Sequence, residues 1–476
     1  MMDITKFLRD KGYDTVDKTF YSQIAVWYSW YVSNVRRFHR YRVYRGSGCY
    51  VNCHRLSLGM AKKVCEDIAD LLLNERVKIT LSDEAADQYV SDVLEQNNFA
   101  VLGNEYQERL AYCGTVAYVP YIKNMLVDAG GRVVGGDGVH INYVTAKDIY
   151  PLSWENGMIT EVAFSFPVTH KGKRYARLEF HRLNERGEYI IENLVLEVSK
   201  SGQGRELQEE AWRQIPPFAG LAARVETGSK EPQFAIDKLN IVNNVDEDTS
   251  NPMGIALFSN AIDVLRKIDL EYDSYANEFN LGRKRIYVSP EFLTDKNGNM
   301  VFDPDDTVFY QLPEDYSQRM EKDPIKESNM ELRVDEHSQA INDDLNYLSM
   351  RVGFGTERYR FEKGSIATAT QVISENSDMF RTLKKHEIIL DAALKQLIKI
   401  IIRLGNVLGA GLPEDPEITI DFDDSIIEDK TAERQSDRQE ISMGVMSRAE
   451  YRAKWYGETL EQAKRNLPEQ ESGVLE

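Results

Sequence analysis

The residues best able to do chemistry are three carboxylates late in the chain, Asp421, Asp423 and Asp424. Clustered carboxylates can hold the paired metal ions that cleave phosphodiester bonds, which makes this cluster the candidate centre of a metal-dependent nuclease. The alternative is a solvated strand end followed by a helix N-terminus, where aspartates complement the helix dipole. Because no histidine or lysine motif pairs with the cluster, the sequence favours the solvated alternative.

A second candidate site is the loop at residues 352–366, in which Arg358, Arg360 and Lys363 alternate with aromatic residues. Basic residues interleaved with aromatic rings can contact a nucleic-acid backbone. The same pattern is also typical of a solvated loop. Gly353 and Gly355 precede the basic residues, and we interpret them as a hinge.

Other signatures of catalysis are missing from the sequence. It has no phosphate-binding loop and no nucleophile elbow, and His386-Glu387 is followed by Leu390 where a zinc protease needs a second histidine. Cys49, Cys53 and His54 lack the second pair of ligands that a zinc knuckle requires, so we expect small side chains at the start of a helix there. The sequence therefore predicts no catalytic residues, no metal and no cofactor.

The composition limits the classes of protein to which this chain can belong. The chain has 476 residues, 58 Lys and Arg against 77 Asp and Glu, a net charge of −19 and 42% hydrophobic residues. This length corresponds to about three domains, and the hydrophobic content excludes a mainly disordered chain. The acidic balance argues against a protein that coats duplex DNA. Four cysteines fit a reducing compartment, and we expect neither a secretory signal nor a membrane span.

The periodicity of apolar residues predicts an α+β fold. Residues 1–110 read as helical, and apolar residues then alternate between 115 and 224 as in an antiparallel meander. Two long helices follow, one opening at Ser250-Asn251-Pro252 and ending near 281, the other at 367–404. Between them we expect a small β insertion, a helix at about 335–351 and then the loop. The insertion contains strands at 284–288, 300–302 and 309–312 and a turn at Asp295, Lys296, Asn297, Gly298 and Asn299.

The order of several segments resembles the portal proteins of tailed bacteriophages and prophages. The resemblance covers most of the chain and is carried by 60–75, 234–244, 251–258, 268–273, 367–376 and 421–450. None of these segments is a catalytic signature, so the resemblance rests on their joint order. It implies a dodecameric ring at one capsid vertex, through which double-stranded DNA enters during packaging and leaves into the tail.

The resemblance also implies a division of the subunit. It assigns a wing to 1–250, a stem helix to 251–281, a clip to 282–334, a second stem helix to 335–351, a channel loop to 352–366, a long wing helix and return strand to 367–424, and a helical crown to 425–476. The implied partners are further copies of the chain, the terminase large subunit, a head–tail adaptor, and the major capsid and scaffolding proteins. The clip turn at Asp295–Asn299 is the expected partner-binding surface.

The implied location is the virion, after assembly in the host cytoplasm, with no membrane contact. An acidic channel wall would repel DNA phosphates, while sparse basic residues in the loop give weak contacts. The nuclease, and a different phage connector or minor head protein, remain the alternatives at this stage.

Overall fold

The structure is a computed structural model that describes residues 3–45, 49–74, 76–282, 285–288, 309–311, 325–328, 330–356, 358–359, 369–422, 430–456 and 460–467. Helices and strands are both abundant in these ranges, so the α+β prediction is confirmed.

The N-terminal part is mostly helical and is interrupted by a hairpin. Its elements are α1 (Ile4–Asp10), α2 (Lys18–Tyr31), α3 (Arg36–His39), β1 (Arg40–Arg45), β2 (Cys49–His54), α4 (Met60–Leu72), β3 (Lys78–Leu81), α5 (Glu84–Gln96) and α6 (Phe99–Cys113). The side chains of Asp3, Asp17 and Asp83 accept backbone N–H groups and start α1, α2 and α5. A wholly helical N-terminal part was thus a wrong prediction. Cys49 and Cys53 lie on β2 and not at the start of a helix, because residues 40–45 alternate arginine with tyrosine and valine, a pattern that favours a strand.

The middle of the chain forms two antiparallel sheets. Its elements are β4 (Thr115–Ile122), β5 (Leu126–Val127), β6 (Val133–Gly135), β7 (Val139–Thr145), β8 (Ile149–Glu155), β9 (Met158–His170), β10 (Lys173–Leu183), β11 (Tyr189–Val198), β12 (Gly204–Glu206), α7 (Glu209–Trp212), β13 (Arg224–Glu226) and β14 (Ala235–Lys238). The larger sheet has the order β12-β11-β10-β9-β8, with β13 paired to β11, and the smaller has the order β14-β4-β7. The predicted meander is therefore confirmed.

Residues 251–258 correct the prediction of the first long helix. All eight are buried and non-helical, and they run through the core beside the end of α6. The Gly254 N–H donates to Thr115 Oγ1 at 2.8 Å, and a Cβ on Gly254 would lie 2.2 Å from the Gly114 carbonyl oxygen. Since only two glycines allow the backbones to approach so closely, this segment is fixed by tertiary contact. The helix begins only at Ile262, so Pro252 does not act here as a helix start.

The last part of the chain contains the longest helices. Its elements are α8 (Ile262–Leu281), β15 (Arg285–Val288), β16 (Phe309–Gln311), β17 (Ile325–Ser328), α9 (Val334–Arg351), α10 (Ala369–Val407), β18 (Ile418–Asp421), α11 (Lys430–Met443), α12 (Arg448–Tyr456) and α13 (Leu460–Arg465). The helix predictions at 335–351 and 367–404 are confirmed within three residues. With 39 residues, α10 is about 58 Å long. The strand predictions near 284–288 and 309–312 are also confirmed, whereas 300–302 and the turn Asp295–Asn299 lie outside the described residues.

The main core lies where α10 packs on the β14-β4-β7 sheet, α5 and α4, with α6 packed in turn against α4. Leu394, Leu397, Ile398 and Ile401 of α10 are at most 1% exposed, and Tyr118 of β4 is completely buried. The return strand β18 pairs antiparallel with β3, which brings the chain after α10 back to the N-terminal part.

Candidate functional site

The chain leaves α9 through a turn that is fixed to the core. The N–H groups of Gly353 and Phe354 donate to the carbonyls of Met350 and Ser349, which closes the helix end. Phe354 is 2% exposed, and a Cβ on Gly353, at φ +86°, would lie 2.7 Å from Thr382 Oγ1 of α10. The start of the predicted channel loop is thus an anchored base.

The structure places one of the three predicted basic loop residues. Arg358 is partly exposed, and its Nη2 lies 4.0 Å from Asp67 Oδ1 on α4, a carboxylate that also binds Lys63 Nζ at 2.7 Å. Arg360 and Lys363 lie outside the described residues. The neighbouring Tyr359 packs on Phe354, and burial together with the Asp67 carboxylate raises the pKa of its hydroxyl. The charge of Arg358 is therefore partly balanced by its own subunit.

The other predicted site residues are only partly placed. Asp421 is the exposed last residue of β18 and pairs with Lys78 of β3 in the strand register. Asp423 and Asp424 lie outside the described residues, as do Asp295–Asn299. Across the described ranges, no group of three or more His, Cys, Asp or Glu is arranged to hold a metal ion.

Two carboxylates one turn apart on α8 hold the chain that flanks the β1–β2 hairpin. Asp269 is 5% exposed and accepts from Ser57 Oγ and from the Leu58 N–H, both at 2.9 Å. Asp273 accepts the Leu56 N–H at 3.0 Å. Because these donors lie in residues 56–58, directly after β2, the two aspartates fix the exit of the hairpin against α8.

Asp269 also fixes the start of the hairpin, through His39. His39 is fully buried, and its Nδ1 accepts the Val35 N–H at 2.8 Å, so the ring proton sits on Nε2. Nε2 donates to Asp269 Oδ2 at 3.0 Å. A serine, a histidine and an aspartate thus meet, but the aspartate is central and Ser57 bonds to it. A nucleophilic triad requires the histidine at the centre, so this arrangement is a structural tether.

A second tether joins the chain just after β14 to α10. The Asn240 N–H donates to His386 Nδ1 at 3.0 Å, and Asn240 Nδ2 donates to the Lys385 carbonyl at 2.9 Å. Burial lowers the pKa of His386 to about 4. Three residues before Asn240, Asp237 is buried and accepts from Gln107 Nε2 at 2.6 Å, and burial raises the pKa of this carboxyl to about 7.

Helices α8 and α9 form an antiparallel pair joined by ion pairs. Lys267 Nζ lies 2.8 Å from Asp344 Oδ1, and Arg333 Nη2 lies 2.9 Å from Glu278 Oε2 near the other end. The pair also leaves large apolar side chains in solvent, with exposed fractions of 45% for Leu270, 56% for Tyr347 and 53% for Met350. These exposed apolar side chains are candidates for contact with another protein.

A cleft of about 1530 Å³ lies between the larger sheet and the C-terminal end of α10. Several charged residues of its lining form ion pairs, as between Arg177 and Glu179 at 3.0 Å and between Arg224 and Glu192 at 2.9 Å. Arg403 of α10 donates to Ser229 Oγ at 2.7 Å. These contacts stabilise the walls of the cleft.

Among all the helices that the structure describes, none has the length and apolar character needed to cross a membrane.

Comparison with known families identifies the class of protein. Residues 10–473 match the family described as phage portal protein, SPP1 Gp6-like. Because the match covers nearly the whole chain, this protein belongs to that family, and the sequence-based assignment to portal proteins is confirmed. The family is structural rather than enzymatic, and its members are components of the virion capsid that assemble into rings. A search of curated proteins gave no match.

The two tethers are the features of this region that sequence reasoning missed. They lie in segments that carry the family resemblance: Asp269 and Asp273 in 268–273, and Asn240 in 234–244. The sequence contained one signal for the first tether. Asp269 and Asp273 are spaced i and i+4 on the buried side of an otherwise apolar helical stripe. Their partners, His39 and residues 56–58, are more than 200 positions away, and no local pattern identifies them.

Proposed function

We propose that this protein forms a dodecameric ring at one vertex of the phage capsid and that double-stranded DNA passes through its central opening. The observation that carries the proposal is the family match over residues 10–473. The net charge of −19 supports it, because a predominantly acidic wall repels phosphates and keeps moving DNA from adhering. The ring has no catalytic centre of its own and acts as a conduit and docking platform.

In this proposal α8 and α9 form the stem, and their exposed apolar residues meet the neighbouring subunits. Leu270, Tyr347 and Met350 are each about half exposed in the isolated subunit. A ring buries such side chains at every interface, which removes apolar surface from water. The two stem helices flank residues 282–334, the segment proposed as the clip.

Imaging of the purified protein by negative stain tests the ring. We expect particles with a central hole, and we expect Leu270→Asp to convert them to monomers with an unchanged circular dichroism spectrum. Met158→Asp is the matched control, because Met158 is 70% exposed at the start of β9, outside the stem helices. Wild-type protein that stays monomeric at high concentration would contradict the proposal.

The loop at 352–366 is proposed to contact DNA in the channel. Its base is fixed by Phe354, and Arg358, Arg360 and Lys363 follow. Twelve copies would surround the duplex, so that weak contacts to phosphates add up. Since Arg358 already faces Asp67, we infer that Arg360 and Lys363 make the larger contribution.

The test of the loop is the triple change of Arg358, Arg360 and Lys363 to alanine. We expect intact rings with a lower packaging efficiency or shorter packaged DNA. The change of Arg358 alone to alanine is the internal comparison and is expected to have the smaller effect. Full-length DNA in heads built with the triple variant would remove the loop from DNA handling.

The clip is proposed to dock the terminase large subunit and the head–tail adaptor, while the outer parts of the ring contact the capsid and scaffolding proteins. Deletion of Asp295–Asn299 is expected to spare the rings and to weaken terminase or adaptor binding in a pull-down. Normal binding by the deletion variant would exclude this turn as the docking surface.

A further inference from the structure

The β1–β2 hairpin is the most basic part of an acidic protein. Residues 18–65 contain nine Lys and Arg and no Asp or Glu, although the whole chain has 77 acidic residues. Five of the nine are arginines at positions 36–45, which lead into the hairpin and form its first strand. The other four, Lys18, Arg55, Lys62 and Lys63, form ion pairs with acids outside this segment. The five arginines at 36–45, in a protein of net charge −19, therefore point to an anionic partner.

The register of the hairpin gathers its polar side chains on one face. Arg40 pairs with His54, Arg42 with Asn52 and Tyr44 with Tyr50. Because alternate residues of a strand point to the same side, these pairs share one face, and every one of the six residues is exposed. We call it the polar face; its members are Arg40, Arg42, Tyr44, Tyr50, Asn52 and His54. The valines of the hairpin, Val43 and Val51, lie on the opposite face.

The charges at this site are not neutralised inside the subunit. Arg36, Arg37 and Arg40 are exposed, and within the described part of the chain none of them forms an ion pair. Arg42 Nε donates to Asn52 Oδ1 at 3.1 Å, a neutral acceptor that leaves the guanidinium charge unbalanced. The exposed arginines are therefore available to a ligand.

The hairpin is held rigidly where it joins the body. His39 before β1 and residues 56–58 after β2 are bound by the carboxylates of α8, and the Arg55 guanidinium stacks 4.3 Å from the centre of the Phe38 ring. Farther along the hairpin, the rings of Tyr44 and Tyr50 lie 5.3 Å apart and are 59% and 68% exposed. A fixed base keeps the polar face in place, which limits the conformational entropy lost on binding.

We propose that the polar face binds the phosphate backbone of double-stranded DNA. The inference rests on the proposed function, since a protein that conducts DNA meets the duplex directly. Arginine forks match phosphate oxygens, and tyrosine and asparagine side chains also donate to them. A two-stranded ribbon has the dimensions of the DNA major groove, along whose edges the phosphates run. The face contains no aliphatic residue of the kind that forms the core of a protein–protein interface, so DNA is favoured over the acidic surface of a second copy.

The experiment measures binding of the full-length protein to short fluorescent DNA duplexes by anisotropy over a range of NaCl concentrations. Arg40→Gln with Arg42→Gln is the test variant, and Arg132→Gln with Arg186→Gln is the control, since these two arginines are also exposed. Each lost phosphate contact is expected to reduce the slope of log K against log salt by about 0.9. The loss is expected to be equal for two unrelated DNA sequences, while the control keeps the wild-type slope.

Two further measurements make the result specific. Arg40→Lys with Arg42→Lys keeps the charge and should restore the wild-type salt slope, whereas a purely structural role for the guanidinium groups predicts no rescue. Light scattering on each variant reports assembly. Loss of assembly with unchanged DNA affinity would show that the polar face contacts a second copy, and that outcome overturns the inference.

The inference is also overturned if wild-type protein binds no duplex, or if the test and control variants weaken binding equally. Failure here is separate from failure of the proposed function. Intact rings whose DNA binding ignores the hairpin contradict only the hairpin site, whereas the absence of wild-type rings contradicts the portal assembly.

Discussion

Helix α10 and the α8–α9 pair are both long, but they are attached to the body by different forces. The C-terminal half of α10 buries Leu394, Leu397 and Ile401 almost completely. The buried positions of α8 include two carboxylates, Asp269 and Asp273, and its link to α9 includes the ion pair between Lys267 and Asp344.

The comparison shows that burying a helix stabilises it, whereas directional hydrogen bonds fix its orientation. Apolar contacts stabilise α10 in proportion to the area removed from water and depend little on direction. A buried carboxylate with three donors has one satisfactory geometry, so Asp269 fixes how α8 and the hairpin sit relative to each other. In the proposed ring the outer apolar residues of this helix pair contact other subunits, so the pair needs a directional attachment more than a core helix does.

The largest effect is expected from a change in the buried apolar stripe of α10. Leu394→Asp places a charge at a position with no solvent exposure and should lower the free energy of unfolding by at least about 4 kcal/mol. We expect insoluble protein or a greatly reduced melting temperature. Ile388→Asp is the control on the same helix, because Ile388 is 67% exposed. Equal behaviour of the two variants would show that α10 is not held by its buried stripe.

Removal of the central carboxylate should have an intermediate effect. Asp269→Ala leaves the His39 Nε2–H, the Ser57 hydroxyl and the Leu58 N–H without their acceptor, at a cost of about 2–3 kcal/mol. Thermal unfolding and hydrogen exchange of the Leu58 amide measure this loss. Asp263→Ala removes an exposed carboxylate from the first turn of α8 and serves as the control. If Asp269→Ala were as stable as this control, the tether would not orient α8.

At neutral pH the smallest effect is expected at His386, where the protonation effect appears only as the pH falls. Its folded-state pKa of about 4 lies below the ordinary value of 6.5, so the unfolded chain binds the proton more readily between these values. This contribution to stability is fully present above pH 6.5 and is lost as the pH falls toward about 4. His386→Gln should therefore show a shallower decrease in melting temperature over that window.

His54→Gln is the control for this pH dependence, because it removes an imidazole that is exposed on β2. It should follow the wild-type curve. If the melting temperature of His386→Gln falls with pH as steeply as that of the wild type, other groups cause the acid sensitivity.

The candidate site could be predicted only in part. The alternation of basic and aromatic residues identified 352–366, but no sequence pattern placed Asp67 beside Arg358. The unbalanced basic run at 36–45 is visible in the sequence. That its arginines share a face with two tyrosines follows only from the register of the hairpin.

The elements that could be predicted from sequence alone are those whose signal is local and repeated: α9, α10 and the β9-β10-β11 meander. The family could be predicted as well. The periodicity of these elements extends over many residues, so each turn or strand pair supports the next. The conformation of residues 251–258, where proline and asparagine suggested a helix start, depends instead on tertiary contacts. There the close contact of Gly254 with Gly114 and burial of all eight residues outweighed local propensity. Tertiary structure also decided the partners of Asp269, because a hydrogen bond between residues more than 200 positions apart depends on how whole elements pack.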